Sequence, residues 1–404
     1  MLAVLRHPTY ARLFAAQVVA LVGTGLLTVA LGLLAFEIAG ADGGLVLGIA
    51  MTVKILAYVL VAPLVQALVH RLPRKAVLIG ADAVRALAAL ALPFITEAWQ
   101  IYLAIAVLQA ASATFTPTFQ SLIPEVLPEE ADYTKALSLS RLAYDLEALL
   151  SPAIAALLLG VLPFSWLFAG TVVGFAGSAL LVAVTALPQG EPASSAGFAE
   201  RVTAGTRMFF GRPALRVVLA IDLAVAAVYG LVMVNTTVTV RAALQLGEPE
   251  VGVVLAAFGL GSMAAAFLVP RLVERVRDLT LMTVAALAGA PVLLLAASAQ
   301  SPSPIAWPVL LVAFALAGAT SSLALTPAGR ILRRATTEAE RPAAFAAQFS
   351  LSHACYLIAY PVAGFVGAVS LPLASGVLAT MALVGGLLAV LLLRAAPAAH
   401  KNSQ

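Results

Sequence analysis

The chain has 404 residues, 62% of them hydrophobic and only 10% charged, with a net charge of +4 and a mean hydropathy of +1.04. Soluble domains carry about 25% charged residues, so a water-surrounded globule is excluded and the solvent of this protein is lipid. A β-barrel would alternate apolar and polar positions in segments of about ten residues; this chain does not, which leaves an all-α polytopic membrane protein.

The first stretch, "MLAVLRHPTYARLFAAQ", shows no charged leader with a small-residue cleavage site, so the first span is expected to be retained. A span needs roughly 20 mostly apolar residues to cross about 30 Å of hydrocarbon. Runs of that length predict twelve transmembrane helices, at 13–39, 45–69, 77–96, 99–123, 137–161, 164–187, 217–240, 251–270, 279–298, 305–329, 342–368 and 371–393. The breakers between them include "GADGG" at 40–44, "LPRK" at 72–75, "LPEE" at 127–130, "LPF" at 162–164 and "SPSP" at 301–304.

Of the 23 lysines and arginines, 19 fall at the termini or in links 2–3, 4–5, 6–7, 8–9 and 10–11. Lys54, Arg85 and Arg141 lie inside spans, and Arg241 alone lies in a link on the other side. The positive-inside rule then places both termini and the central link in the cytoplasm, and the Ala-, Leu- and Arg-rich usage fits a bacterial inner membrane. These basic residues lack interleaved aromatics, so a nucleic-acid partner is not expected. A single cysteine, Cys355, rules out an intrachain disulfide.

The longest polar segment divides the chain into an N-terminal six-helix half (1–187), a central link (188–216) and a C-terminal six-helix half (217–404). The link opens on "PQGEPASSAG", a flexible composition. It continues as "FAERVTAGTRMFFGRPALR", which reads as an amphipathic helix on the inner membrane surface or an ordinary solvated loop.

The two halves repeat each other. "APLVQALVHRLPRK" (62–75) and "AFLVPRLVERVRD" (266–278) share A-x-L-V-x-x-L-V-x-R at an offset of 204 residues, ending spans 2 and 8. "SLSRLAYDLEALLSP" in span 5 and "SLSHACYLIAYP" in span 11 each pair an SLS opening with a later proline. Parallel repeats of this kind imply alternating access around a site near the bilayer midplane.

"VHRLPRKAVLIGADAVRA" resembles the loop 2–3 signature of the major facilitator superfamily, roughly G-x-x-x-D-R-x-G-R-K. Arg71, Arg74 and Lys75 match its basic positions, while Gln66, His70 and Pro73 depart from it. In the second copy Glu274 and Arg275 match the acid–Arg pair, and Arg277 and Asp278 depart. The resemblance implies a cytoplasmic charge latch at this loop, with Asp82 and Arg85 at the inner end of span 3 expected to clamp it. "AAQFSLSHACYLIAYPVAG" (346–364) also resembles span 11 of bacterial facilitators that include nickel-type metal exporters, whose histidine-rich tail is not matched by "AAPAAHKNSQ".

Each ionisable group at membrane depth costs a few kcal/mol and asks for a reason. Lys54, Glu147 and His353 sit about ten residues, or about 15 Å, into their predicted spans. Lys54 either snorkels or faces a cavity and pairs with Glu147 or Asp145. Asp145 shares a face with Arg141, four residues away, and reads as an internal ion pair. Glu147 is turned about 200° from Asp145, so it needs another partner: Lys54, a proton or a substrate cation. A carboxylate in such a setting is a candidate to load and release protons. Asp222 in span 7 either binds a cation or bonds neighbouring helices.

Span 11 carries Gln348, His353, Cys355, Tyr356 and Tyr360. His353 and Cys355, two apart on a helix, do not converge on one metal ion, and a hydrogen-bonded helix contact is the plainer role for the histidine. The resemblance adds that spans 1, 4, 7 and 10 surround the substrate path, which selects Gln109, Tyr229 and Asn235. There is no G-x-x-x-x-G-K-[ST] phosphate loop, nucleophile elbow or filter-like segment, so neither an enzyme nor a channel is expected, and no cofactor. The expectation is a monomeric proton-coupled antiporter of the efflux type, exporting small amphipathic organic compounds, with divalent metal export as the alternative and a non-transporting scaffold as the contrasting class.

Overall fold

The computed structural model describes residues 1–40, 43–188 and 197–395; most of "PQGEPASSAG" and nearly all of the tail "AAPAAHKNSQ" lie outside them. A short 3-10 turn (Leu2–Arg6) precedes thirteen helices. These are α1 (Pro8–Ala39), α2 (Gly43–Val69), α3 (Arg74–Ala91), α4 (Ala98–Val126), α5 (Glu130–Leu159), α6 (Ser165–Ala183) and α7 (Phe198–Gly211). They continue as α8 (Pro213–Ala243), α9 (Glu248–Leu272), α10 (Asp278–Ser298), α11 (Ala306–Ala335), α12 (Arg341–Val369) and α13 (Leu371–Ala395). All except α7 belong to helices long and apolar enough to span a membrane, twelve among the described residues. No strand occurs among those residues.

Local chemistry sets the helix starts. Pro8 opens α1, where its missing N–H costs nothing. Glu97 and Gln100 form a capping box at the head of α4, each side chain accepting from the other's backbone region. α5 starts seven residues before the predicted span, because Glu130 and Asp132 occupy its first turn and complement the positive end of the helix dipole. The second part of the central link forms a helix, α7, with Phe209 fully buried and Phe198 and Phe210 exposed.

The chain forms two compact units. The first contains Met1–Ala136, Ala143–Gly205 and Thr336–Ser350; the second contains Leu137–Leu142, Thr206–Ala335 and Leu351–Gln404. In the first, α1 packs on α6, α3 on α4 and α6, and α2 on α4. In the second, α8 packs on α13, α10 on α11 and α13, and α9 on α11. Counted by span, these are the same four pairings, so the repeat read in the sequence is a repeat of packing.

Lipid offers apolar helices no hydrophobic reason to associate, so contact depends on small residues that let backbones approach. Gly261 of α9 lies against the Ala315 backbone of α11, and Gly318 of α11 lies against the Phe258 carbonyl of α9. A methyl at either position would overlap the facing backbone. Gly318→Ala is therefore expected to cost about 1–3 kcal/mol through forced separation of α9 and α11. The measurement is the apparent melting temperature in detergent, with Gly32→Ala, whose Cβ meets nothing within 4 Å, expected to leave it unchanged.

Candidate functional site

The first unit holds a buried polar cluster built by α2, α4 and α5. Lys54 lies 15 residues from the Val69 end of α2, and Glu147 lies 17 residues from the Glu130 end of α5. At 1.5 Å per residue these are about 23 and 26 Å along their helices. Glu147 thus lies further from the start of its helix than the predicted start of its span implied. Each side chain acts electrostatically on the other. The Lys54 ammonium lies 5.8 Å over the Tyr58 ring, and Ser151 Oγ donates to Glu147 Oε1 at 3.4 Å.

Tyr58, one helical turn after Lys54, donates its hydroxyl to Gln109 Oε1 at 2.7 Å and meets Phe349 edge-on at 4.8 Å. Gln109 therefore positions Tyr58 in this unit. Tyr58 and Ser151 were not singled out in the sequence. The signal for both was the i, i+4 spacing from a buried charge.

The second unit holds a tyrosine-rich cluster. Arg141 donates to Tyr229 Oη at 3.0 Å and to Ser262 Oγ at 2.9 Å. Tyr229 packs on Tyr356 at 5.8 Å and edge-on to Phe258 at 5.6 Å. Tyr356 stacks on Tyr360 at 5.4 Å, and His353 meets its ring edge-on at 5.4 Å. His353 thus belongs to an aromatic contact. Asp222 is buried and acts electrostatically on Cys355 and Tyr356. Asp145 is buried in the first unit, where Gln348 also lies, half-buried. Among the described residues no three His, Cys, Asp or Glu side chains converge on a metal position.

The latch differs in detail from its sequence reading. Arg74 pairs with Glu125 of α4 at 2.5 Å, while Arg71 is exposed and Lys75 half-buried. In the second copy Glu274 and Arg275 are exposed, and the ion pairs form at Asp278, which accepts from Arg330 and Arg334 of α11 at 2.9 Å each. Arg74 and Asp278 are one repeat offset apart, so one position on equivalent helices clamps the next helix with opposite sign. Asp82 and Arg85 do not join this latch. They pair with each other in the core, and the Arg85 guanidinium lies 4.3 Å over Phe115 and 4.5 Å over Phe175. Desolvated guanidinium is well placed between ring faces, which explains why α3 turns this pair towards α4 and α6. Glu125, Arg330 and Arg334 sat at predicted helix ends with nothing in the sequence to tie them to their partners.

A cavity of about 500 Å³ between α3 and α4 is lined by Val84, Leu87, Phe94, Leu103 and Val107. Most of these side chains are exposed and face where lipid would lie, so this groove is separate from both polar clusters.

Twelve spanning helices in two repeated bundles, each with a cluster of charged and polar side chains, define a polytopic membrane protein of facilitator architecture. The chain belongs to the Major Facilitator Superfamily, whose sequence pattern it matches over residues 13–241 and 222–404. It is 28% identical over 182 residues to macrolide efflux protein A of Streptococcus pyogenes, a match covering 44% of each chain. It is also 28% identical over 139 residues to macrolide efflux protein A of Enterococcus faecalis, 33% of this chain and 43% of that one. The matched region thus spans less than half the length of these curated relatives.

Among solved structures, a bacterial homologue of the iron transporter ferroportin in an outward-facing state superposes with a TM-score of 0.79 at 15% identity, covering 96% of this chain and 98% of that one. The human organic anion transporter MFSD10 gives 0.77 at 15% identity, covering 95% and 99%. The E. coli fucose:proton symporter FucP gives 0.72 at 17%, covering 95% and 98%. These likenesses establish the fold alone.

The Asp278 clamp is testable directly. Asp278→Asn removes the carboxylate that the Arg330 guanidinium, 8% exposed, pairs with, and is expected to cost about 3–5 kcal/mol. Thermal unfolding should show Asp278→Asn well below the parent, and adding Arg330→Met should recover part of the loss, because the Arg330 charge is then gone.

Proposed function

We propose that this chain is a proton-coupled exporter of small amphipathic organic compounds, working by alternating access of its two repeated halves. The observation that carries this reading is the Lys54–Glu147 couple: two opposite charges that act on each other among the helices of the first unit, without a hydrogen bond between them. A rigid scaffold has little use for such a couple, whereas a carboxylate that exchanges its counter-charge for a proton gives a transporter its energy coupling. Asp145 and Asp222 are further carboxylates at membrane depth. The relatives named as macrolide efflux proteins support export of organic compounds as the direction. In this reading the protein acts as a monomer in a bacterial inner membrane, its basic links support cytoplasmic termini, and its partners are its substrate, protons and the lipid bilayer.

The test is proton movement in energised inverted vesicles. Adding lipophilic organic cations is expected to release protons, and Glu147→Gln to abolish that release while the protein remains in the membrane. Unimpaired, pH-dependent export by Glu147→Gln would refute the coupling role. A divalent-cation reading rests on Asp222 and Cys355 being neighbours; proton release by nickel or cobalt alone, lost in Asp222→Asn, would favour it instead.

A further inference from the structure

The tyrosine cluster of the second unit coincides with two breaks in helix geometry. α8 switches from α to π winding at Leu231–Asn235, directly after Tyr229. α12 does the same at Val362–Val366, directly after Tyr360 and Pro361. The two π turns touch each other. Pro361 supplies no backbone N–H, and the Thr236 hydroxyl donates back to the Val232 carbonyl at 2.5 Å, a bond that bends helices. Asn235 is 3% exposed, its Nδ2 has no hydrogen-bond partner among the described residues, and it lies beside Gly367 of α12. Wide turns of this kind cluster at functional sites.

The rings themselves are only half-buried: Tyr229, Tyr356, Tyr360 and His353 all keep part of their surface open. Tyr356 and Tyr360 stack on each other nearly parallel, 18° apart, so the π face this pair offers is its outer one. Arg141 holds the Tyr229 hydroxyl at one edge. We propose that this face is a stacking site for planar aromatic compounds, with the paired π turns supplying the compliance that lets it adjust to rings of different size. The proposal rests on the export reading above and names the chemical class that the second unit selects.

The experiment uses the full chain in nanodiscs and equilibrium binding of probes matched in charge. Ethidium is compared with tetrabutylphosphonium, and 8-anilinonaphthalene-1-sulfonate with decanesulfonate, each corrected for empty nanodiscs. The parent protein is expected to favour at least one ring-bearing probe over its ring-free partner by roughly tenfold, the weight of a good aromatic pair. Tyr356→Leu should bring that ratio close to one, and Tyr356→Phe, which keeps the ring, should preserve it. Absence of ring preference in the parent, or its survival in Tyr356→Leu, would overturn the proposal. Ring-selective binding without any vesicle transport would uphold the stacking site while refuting export, so the two failures are distinguishable.

Discussion

A charge inside hydrocarbon must find its compensation within the protein, and the arrangement of these helices follows from that constraint. Arg85 is answered by Asp82 and by two phenylalanine faces. Arg330 is answered by Asp278, and Arg141 donates to Tyr229 and Ser262. Each solution draws on more than one helix, so each fixes the rotation of a helix about its axis. An apolar helix in lipid has almost no such preference, since one leucine face resembles another.

The remaining contacts come from the absence of side chains. Gly261 and Gly318 let α9 and α11 meet backbone to backbone, and the corresponding span pairing recurs in the first unit. Dispersion at close range, summed over many contacts, is the force available to hold helices together in lipid. The repeat therefore preserves which helices touch more faithfully than which residues do it. At the clamp it preserves even less: Arg74 and Asp278 occupy one repeat position with opposite charges. An ion pair is indifferent to which partner carries which sign, so duplication followed by drift can invert it and leave the clamp intact.

The two units treat polar groups differently. In the first, Lys54 and Glu147 act on each other and lean on Tyr58 and Ser151. In the second, aromatic rings predominate and the helices that bear them are locally widened into π turns. A charged couple suits energy coupling and a compliant ring surface suits recognition, which is how the two proposals above divide the protein.

Twelve spans, the internal repeat and the class of the fold were legible from composition, breakers and the offset between repeated segments, because lipid imposes length and hydropathy on every span independently of its neighbours. The identity of the buried charges was legible for the same reason: Lys54, Glu147, Asp222 and Arg141 stand out in apolar surroundings whatever they touch. Their partners were not. Nothing in the linear order ties Arg74 to Glu125, Asp278 to Arg330, or Arg141 to Ser262, because each pair joins different helices whose rotation and depth are set only on packing. Asp82 and Arg85 show the limit most clearly: three residues apart near a basic loop, they read as part of the latch, yet two distant phenylalanines draw them into the core. Spans are a local property of the chain; the contacts of a charge within them are a property of the assembled helices.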